Sequence, residues 1–420
     1  MNNRVTIRKE DLIYVGIDLH KETHTAVILD CWNNKLGEIT FANTPAEFPK
    51  LVRKVMKYCI ENKEAVYGLE NAYGYGRSLA VWLIAKGFIV KDVNTSLAHR
   101  QAKCRAMYKK SDSDDAEAIA LATINMLDSL PDACPNDAYW SLSQLVNRRD
   151  NIMTQRIRLK NQLHEQITMA YPSYKLFFQD ISRQTALYFW GNYPSEKYLK
   201  GKTPESLAEE LRQRSHNQCS ISKCQIILDA VQKDHTKPME FQDTRDVITR
   251  GLVKDLLHYE EQLKEVDNEL EQMYHAMGCT LATIPGVNIT TAVKILSEIG
   301  DINRFPNPAK LAQFAGIAPI KLSSAGKGKD KASKQGNRRL QATLFFLAIQ
   351  MIQTSTKGKA RNPIFRDYYD RKLTEGKSAK QVLICIARRM VNIIYGMLKN
   401  QTEYYMPELE TVTTTENVSE

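Results

Sequence analysis

The feature that most constrains the fold is a short apolar run, residues 14–19, that carries one carboxylate, Asp18, near its end. Such a run between polar residues predicts a buried strand, and a second β-rich stretch, 23–29, follows at once. An aspartate in a buried strand is costly unless its charge is paired. Two interpretations stay open: Asp18 caps a turn at the strand end, or it is a metal ligand on a central strand.

A second apolar run, 64–70, also ends in a carboxylate, Glu70. Further strands are predicted at 37–41 and 88–93, and helices at 45–58, with Thr44 as cap, and 74–86. Antiparallel strands followed by a β-α-β-α alternation predict a mixed α/β sheet covered by helices. Because sites in open α/β sheets gather at the carboxyl ends of strands, Glu70 is a site candidate; a solvent-exposed glutamate opening a loop is the alternative.

A third acidic stretch predicts the start of a helix, with Ser111 or Asp112 as the N-cap. Asp112 and Asp115 are three residues apart and therefore share one side of the helix, whereas Asp114 and Glu117 point elsewhere and are predicted to be solvated. A capping role explains the presence of one acid at this helix start. A bound cation would offset the repulsion between the other carboxylates. Sets of such carboxylates bind pairs of Mg²⁺ or Mn²⁺ ions in phosphoryl-transfer enzymes.

Two long helices are predicted in the middle of the chain, at 139–170 and 243–277. The second has an unbroken heptad seam of apolar residues, formed by Leu252, Leu256, Tyr259, Leu263, Val266, Leu270 and Met273. The seam of the first is interrupted by Arg149 and Arg156. This pattern indicates a helical hairpin or an intermolecular coiled coil, with core packing alone as the alternative explanation of the apolar stripe. The aromatic-rich segment 172–240 predicts a small hydrophobic subdomain, with stacking on nucleic-acid bases as the alternative.

The C-terminal part has two candidate phosphate-binding features. Residues 283–300 resemble a helix-hairpin-helix, whose turn would aim backbone N–H groups at a phosphate, with an ordinary helical turn as the alternative. Residues 319–336 predict a loop rich in lysine and glycine that could approach a phosphate backbone or simply be solvated. A helix over 377–399 has one apolar face, which predicts core packing. The acidic tail is predicted to be disordered.

The composition limits the classes of partner that this chain is expected to bind. The formal charge of +10 and a pI near 9.0 favour a polyanion, with nucleic acid first. The eight cysteines contain no CxxC pair, which fits a reducing cytoplasm. The N-terminus lacks a signal-peptide core and the apolar run 344–352 is too short to span a membrane, so no membrane partner is expected.

The chain is predicted to divide into four regions. They are an α/β domain at 12–130, a helical connector at 138–277 with the inserted segment 172–240, a C-terminal domain at 279–400 and a tail at 401–420.

Several motifs together resemble one family. They read Gly-Ile-Asp-Leu-His-Lys, Gly-Leu-Glu-Asn-Ala-Tyr-Gly and Lys-Ser-Asp-Ser-Asp-Asp-Ala near the N-terminus, and Ala-Gly-Ile-Ala-Pro, Ser-Ser and Lys-Gln-Gly-Asn-Arg-Arg-Leu near the C-terminus. They look like the motifs of the DEDD insertion-sequence transposases, relatives of the Piv DNA invertase. The resemblance implies an RNase H-like (RuvC-like) N-terminal domain with the catalytic, metal-binding tetrad Asp18, Glu70, Asp112 and Asp115. Ser111 replaces the threonine usual in the family.

In the C-terminal transposase domain, the nucleophilic serine of the family corresponds to Ser324. Ala325 replaces the glycine expected after it, so Ser323 stays an alternative, and Ala318 replaces a threonine. Basic and amide side chains around it are candidates for nucleic-acid binding, and all of them except Lys334 and Asn337 are candidates for stabilising charge on the phosphate. They are Lys321, Lys327, Lys329, Lys334, Asn337, Arg338 and Arg339.

The resemblance implies a DNA transposase/recombinase of an insertion sequence, which cuts DNA through a covalent phosphoserine with Mg²⁺ (or Mn²⁺) at the tetrad. It further implies donor and target DNA, an element-encoded bridge RNA, and a homo-oligomer, dimer or tetramer, in a bacterial-type, nucleoid-associated setting. The predicted fold class is α/β plus α: a mixed sheet domain, a long helical connector and a mostly helical C-terminal domain. The alternatives are a RuvC-like metal-dependent nuclease or junction resolvase, and a non-catalytic nucleic-acid-binding protein.

Overall fold

The structure is a computed structural model. It describes residues 8–61, 63–70, 72–103, 111–128, 130–133, 135, 137–212, 219–234, 239–318, 320–324, 327–331, 336–356 and 358–406, with backbone only at 96, 103, 320–324 and 327–331. The chain divides into two compact units. The first comprises Met1–Ser141, Leu296–Thr354 and Pro363–Thr402, and the second comprises Leu142–Ile295, Ser355–Asn362 and Glu403–Glu420.

The N-terminal part of the first unit contains a five-stranded mixed sheet. Its strands are β1 (Leu12–Leu19), β2 (Thr23–Leu29), β3 (Lys35–Ala42), β4 (Glu64–Glu70) and β5 (Ile89–Val93). They lie in the order β3-β2-β1-β4-β5. The first three strands form an antiparallel meander, while β4 pairs parallel to β1 and β5 parallel to β4. This confirms the predicted mixed sheet.

Four helices accompany this sheet. They are α1 (Phe48–Met56), α2 (Arg77–Ala85), α3 (Thr95–Lys103) and α4 (Asp112–Met126). The predicted start of the first helix at Pro45 is wrong. The backbone N–H of Glu47 donates to the carbonyl of Thr44, which closes a turn over this stretch, and Pro49 occupies the first turn of α1 instead.

The sheet separates two apolar layers. On one face, side chains such as Ile13, Val15 and Ile17 pack with α1 and α2. On the other face, Tyr14 and Val66 pack against α4. Because successive side chains of a strand point to opposite faces, this alternation also fixes which face each polar residue at the strand ends occupies.

Two glycines allow α4 to lie directly on the sheet. A Cβ on Gly16 of β1 would be 2.1 Å from the carbonyl oxygen of Ala116 and 2.2 Å from the backbone nitrogen of Ala120. A Cβ on Gly68 of β4 would be 2.1 Å from the hydroxyl oxygen of Thr123. These two positions therefore have no room for a side chain, because atoms of α4 occupy that space.

The helices α5 (Asp137–Ala170), which enters the second unit at Leu142, and α9 (Gln242–Ala276) form an antiparallel hairpin there. The two arginines that interrupt the apolar seam of α5 face acids of α9: Arg149 Nε lies 2.6 Å from Asp267 Oδ1, and Arg156 Nη2 lies 3.9 Å from Glu260 Oε2. The interruptions are thus sites of ion pairing between the two helices of the predicted hairpin.

Between these helices, α6 (Gln184–Asn192), α7 (Pro204–Arg212) and α8 (Ile221–Asp234) pack around a buried aromatic cluster. Trp190 and Phe177 stack with ring centroids 5.9 Å apart, and Phe189 meets Trp190 edge-on at 5.0 Å. All three rings are fully buried. The aromatic residues therefore form the core of a small hydrophobic subdomain, as predicted, and these three are not available for stacking on bases.

The C-terminal elements are α10 (Ile289–Ile299), α11 (Pro308–Phe314), β6 (Ile320–Ser324), β7 (Lys327–Lys331), α12 (Arg338–Ile352), α13 (Pro363–Thr374) and α14 (Ala379–Asn400). Within this described part of the chain, α14 is long and apolar enough to cross a membrane by length and composition. Its apolar face, including Ile386, Met390 and Ile394, is buried, and α14 packs with α11, α12 and α13. Such burial is typical of the core helix of a globular domain. Residues 407–420 of the predicted disordered tail lie outside the described residues.

The prediction of a loop over 319–336 is wrong for most of that segment. Its backbone forms an antiparallel pair of strands, β6 and β7, in which Ser324 is the partner of Lys327. Two residues separate the strands in the sequence, a spacing typical of a β-hairpin. The alternation of Ile320 and Leu322 with polar residues is a strand pattern, which the lysine and glycine content of the segment obscured.

Candidate active site

Two acids predicted from the sequence lie at the carboxyl ends of neighbouring strands. Ile17 of β1 pairs with Leu69 of β4, so the next positions along these parallel strands are Asp18 and Glu70. With a side-chain period of two, Asp18 lies on the same face of the sheet as Gly16, which is the face that α4 covers. The fold therefore directs both carboxylates toward the side from which α4 approaches.

The first turn of α4 brings the other two acids of the predicted tetrad, Asp112 and Asp115, to this edge. Ser111, one of the two predicted candidates, is the N-cap: its hydroxyl accepts from the N–H of Asp114 at 3.3 Å, and the Asp114 carboxylate accepts from the N–H of Ser111 at 3.1 Å. This reciprocal pair is a capping box. Asp114 thus serves the cap, which corrects the prediction that it is merely solvated.

A histidine contacts two of the acids at this edge. Nε2 of His20 lies 3.0 Å from Oδ2 of Asp18 and 3.5 Å from Oδ1 of Asp112. Ligand atoms of these three residues all lie within 4.8 Å of one another. Among the residues that the structure describes, Glu70 and Asp115 are outside this compact group. The structure thus brings together Asp18 and Asp112 of the tetrad, and the metal-binding roles of all four acids stay predictions.

The electrostatics of Asp18 reflect these surroundings. Burial raises the pKa of its carboxyl, the negative charges of Asp115 and Asp112 raise it further, and the neighbouring His20 opposes the rise. The side chain of Asp18 is 16% exposed, whereas those of His20 and Asp112 are 53% and 62% exposed. The site is therefore a mostly buried carboxylate beside the exposed carboxylate of Asp112, where a cation would be stabilised.

A polar triad supports the first turn of α4 from the sheet. The Ser113 hydroxyl donates to Oε2 of Glu38 on β3 at 2.6 Å, and Nζ of Lys35 lies 2.6 Å from the same oxygen and 3.1 Å from the Ser113 oxygen. Hydrogen bonds from Lys35 and Ser113 lower the pKa of Glu38, so its carboxylate stays charged. The triad connects the meander to the helix end that carries Asp112 and Asp115.

Asn43 connects the two loops that flank the site. Its side-chain amide donates to the carbonyl of Lys21, in the turn after β1, at 3.2 Å, and to the carbonyl of Tyr75, in the loop after β4, at 3.1 Å. Sequence reasoning missed His20 and Asn43 as site residues. The signal for His20 was its place two residues after Asp18, on the same face of an extended chain.

The donor set fits a divalent metal ion. Two carboxylates and an imidazole are common ligands of Mn²⁺ and related ions, and carboxylates alone suit Mg²⁺. Asp18 and Asp112 would hold the ion, with Glu70 and Asp115 close to the same edge of the sheet.

The predicted serine motif lies on the β6–β7 hairpin, whose base is closely packed. Gly336, at φ 113°, follows the hairpin, and a Cβ there would be 2.6 Å from both the nitrogen and Cα of Gly316. The N–H of Asn337 donates to the carbonyl of Phe314 at 2.7 Å, and the amide of Gln341 donates to the carbonyl of Gly316 at 2.7 Å. The Ala-Gly-Ile-Ala-Pro motif and the Lys-Gln-Gly-Asn-Arg-Arg-Leu motif are therefore in contact with each other.

Three of the predicted nucleic-acid contacts have partners within the protein. Asn337 caps α12 and donates to Oε2 of Glu298 at 2.7 Å, Arg339 Nε lies 3.2 Å from Oε1 of Glu298, and Arg338 donates to Gln341 at 2.6 Å. Their binding to nucleic acid stays a prediction. For Lys321, Ser323, Ser324, Lys327 and Lys329 the structure gives the backbone in β6 and β7, and Lys334 lies outside the described residues.

Comparisons with known proteins match both ends of the chain. A family model described as a transposase, of the DEDD type of IS110, matches residues 15–172. A second model, described as a transposase of the IS116/IS110/IS902 family, matches residues 279–370. The first match contains the acidic edge of the sheet, and the second contains the β6–β7 hairpin.

Some similar proteins match over nearly the whole chain, and another matches about a third of it. An uncharacterized 44.8 kDa protein of insertion element IS116 from Streptomyces clavuligerus is 25% identical over 94% of this chain and 96% of its own length. The pilin gene-inverting protein of Moraxella lacunata is 24% identical over 93% of this chain and 97% of its own length. The transposase of IS1111A from Coxiella burnetii is 28% identical over 35% of this chain and 38% of its own length. With both family models matched in order, this chain belongs to the DEDD transposases of the IS110/IS116 insertion-sequence family.

Proposed function

We propose that this protein is the transposase/recombinase of a mobile insertion sequence that cuts and rejoins DNA through a serine nucleophile and a metal-binding acidic site. The observation that carries the proposal is the meeting of Asp18 and Asp112 at the end of a central strand, inside the segment matched by the DEDD model. Ser324, with Ser323 as the alternative, lies in the segment matched by the second model.

The proposed acidic site consists of Asp18, Glu70, Asp112 and Asp115. A bound Mg²⁺ or Mn²⁺ ion would supply Lewis-acid stabilisation of the charge on a phosphodiester. The burial of most of Asp18 and the exposed position of Asp112 fit a site that faces a large substrate.

The serine hydroxyl is the proposed nucleophile. Its oxygen forms a bond to phosphorus while one P–O bond of the DNA strand breaks, the serine proton leaves to a base, and the departing DNA oxygen acquires a proton. The hydroxyl of a second strand end then attacks the phosphorus of the phosphoserine and gives up its proton to a base. The serine oxygen departs and regains a proton, and the DNA strand is rejoined. Serine needs activation for the first step, and the lysines of the hairpin are proposed to stabilise charge on the phosphate.

The N-terminal domain is proposed to be RNase H-like, of the RuvC-like kind. An antiparallel meander followed by two parallel strands, in the order β3-β2-β1-β4-β5, supports this assignment. The position of the acids at the ends of β1 and β4 and at the start of α4 gives it further support.

Donor and target DNA, an element-encoded bridge RNA and further copies of the chain are the proposed partners, in the bacterial cytoplasm. The net charge of +10 supports nucleic-acid binding. A homo-oligomer is supported by the α5–α9 hairpin: Ile157 is 57% exposed, and Tyr259 and Leu263 on the heptad seam are only partly buried. A second hairpin would cover these apolar side chains.

The test incubates the full chain with Mg²⁺, labelled element-junction DNA and RNA co-purified from cells, and looks for a protein–DNA adduct that survives denaturation. The proposal predicts an adduct that is lost in Ser324→Ala and in Asp18→Ala, with Ser323→Ala as the matched control that retains it. Loss in Ser323→Ala instead would assign the nucleophile to Ser323.

Two rivals give different results. A metal-dependent nuclease or junction resolvase would cleave without an adduct, and cleavage would survive both serine substitutions. A non-catalytic nucleic-acid-binding protein would bind the DNA without cleavage, and Asp18→Ala would change its stability with no activity to lose. Either result would overturn the serine-plus-metal proposal.

A further inference from the structure

We propose that His20 is a metal ligand of this site, completing a group with Asp18 and Asp112 that binds Mn²⁺ in preference to Mg²⁺. The inference deepens the proposed function, since it rests on a divalent metal at the acidic edge. It goes beyond the four carboxylates, because it adds a nitrogen donor and with it a metal preference.

The geometry of the three side chains fits one metal ion. Ligands in adjacent positions of an octahedron with bonds of about 2.1 Å lie about 3.0 Å apart. The imidazole Nε2 of His20 lies 3.0 Å from Asp18 Oδ2 and 3.5 Å from Asp112 Oδ1. Two of the three pairs of donor atoms therefore already have nearly the spacing of such ligands, and all three atoms, from a strand, a turn and a helix end, lie within 4.8 Å of one another.

The backbone that carries His20 is fixed in this position. The N–H of His20 donates to the carbonyl of Thr23 at 3.1 Å, which closes the turn between β1 and β2. The next residue, Lys21, is held by the amide of Asn43 through its carbonyl oxygen. His20 is thus placed by contacts that do not involve its ring, as expected of a ligand whose ring serves another purpose.

The remaining surroundings favour a cation over a simple hydrogen bond. His20 and Asp112 are more than half exposed, so a hydrated ion can reach the three donor atoms. Asp115 adds negative charge near Asp18. Imidazole nitrogen is a ligand of transition-metal ions, and Mn²⁺ accepts it more readily than Mg²⁺, which strongly prefers oxygen, so a histidine in this group shifts the preference toward Mn²⁺.

The experiment is pulsed EPR of the full-length protein with one equivalent of Mn²⁺, with and without a duplex of the element junction. The inference predicts electron–nuclear coupling to an imidazole nitrogen, which disappears in His20→Ala. The matched control is His275→Ala, which removes another exposed histidine, far along the chain on α9, and keeps the coupling. Circular dichroism of both variants checks that they are folded.

A competition titration measures the preference itself. His20→Ala is expected to lose about tenfold in Mn²⁺ affinity and less than about threefold in Mg²⁺ affinity, because it removes a nitrogen ligand and leaves the carboxylates. His20→Asn, which offers an oxygen donor, is expected to restore the small loss of Mg²⁺ affinity and to leave the larger loss of Mn²⁺ affinity uncorrected.

The outcomes separate this inference from the proposed function. If Mn²⁺ binds in a manner that Asp18→Ala abolishes, but no nitrogen coupling appears and His20→Ala keeps the wild-type ratio of affinities, His20 is not a ligand and the carboxylate site stands. If the wild-type protein binds no Mn²⁺ in either condition, both the inference and the proposed metal centre fail.

Discussion

The acidic edge of the sheet and the base of the β6–β7 hairpin both depend on glycines, but the glycines serve different purposes. At the edge, Gly16 and Gly68 leave room for α4 on the sheet, so carboxylates on two buried elements are brought together. At the hairpin base, Gly336 allows close contact with the backbone of Gly316, and β6 and β7 lie in the sequence between these two glycines. The first arrangement fixes side chains directly, whereas the second fixes only the point from which the serine-bearing strand starts.

This difference indicates how each region responds to change. The positions of Asp18 and Asp112 depend on the packing of a whole strand and a whole helix, so disturbing them costs the stability of the domain. The position of Ser324 depends on a few backbone contacts at the hairpin base. Substitutions there are expected to change activity more than they change the unfolding of the sheet.

The largest effect is expected for Gly16→Ala. The added Cβ would lie 2.1 Å and 2.2 Å from backbone atoms of α4, and backbone cannot move aside as a flexible side chain can. We expect the free energy of unfolding to fall by more than about 4 kcal/mol, measured by urea denaturation, with loss of metal binding.

Gly251→Ala is the matched control for this prediction. Gly251 lies within α9, and an added Cβ there would have nothing within 4 Å, so alanine should be neutral or stabilise by about 0.5–1 kcal/mol. A Gly16→Ala protein that unfolds at the wild-type urea concentration would mean that α4 does not lie on β1 as described.

An intermediate effect is expected for Gly336→Ala. This substitution meets both a positive φ of 113° and a contact of 2.6 Å with Gly316. We expect a loss of about 2–3 kcal/mol in stability and a strong decrease in adduct formation, while Mn²⁺ affinity at the acidic edge is unchanged.

Gly376→Ala separates the two causes, since Gly376 also has a positive φ, 86°, but has open space around it. Its cost should be about 1 kcal/mol, from backbone strain alone. Equal losses in the two variants would show that close contact at the hairpin base contributes nothing.

The sequence predicted the parts of the site that depend on local pattern. Asp18 and Glu70 end apolar runs that are strands in the structure, and Ser111 caps the helix that carries Asp112. Each of these features depends on neighbours a few residues away, where alternation and capping chemistry are visible. The meeting of strand and helix also needed two glycines whose purpose becomes clear only in the packed structure.

The features that the sequence did not predict depend on distant or conflicting signals. The amide of Asn43 bonds to carbonyls 22 and 32 residues away, and backbone carbonyls leave no signature in a sequence. Thr44 and Pro45 satisfy the pattern of a helix start, but a turn uses them instead. The β6–β7 hairpin is built from lysine, glycine and serine, so its composition favoured a loop.

The smallest effect, and the one that compares the two regions most directly, is expected for Ser111→Ala. It removes the capping box at the start of α4, which should cost about 1 kcal/mol. Because Asp112 and Asp115 lie in the first turn, looser structure there should lower Mn²⁺ affinity several-fold. Hydrogen exchange of the first turn of α4 and a metal titration measure the two parts of the effect.

Ser378→Ala removes a capping box of the same kind, formed with Gln381 at the start of α14, and is the matched control. It should cost a similar free energy of unfolding and leave Mn²⁺ affinity unchanged. If Ser111→Ala also leaves the affinity unchanged, the spacing of the acids is set by the packing of α4 on Gly16 and by the Glu38–Ser113 contact, and the cap only stabilises the helix. A decrease in affinity that is specific to Ser111→Ala means that the cap itself holds the metal-binding carboxylates in place.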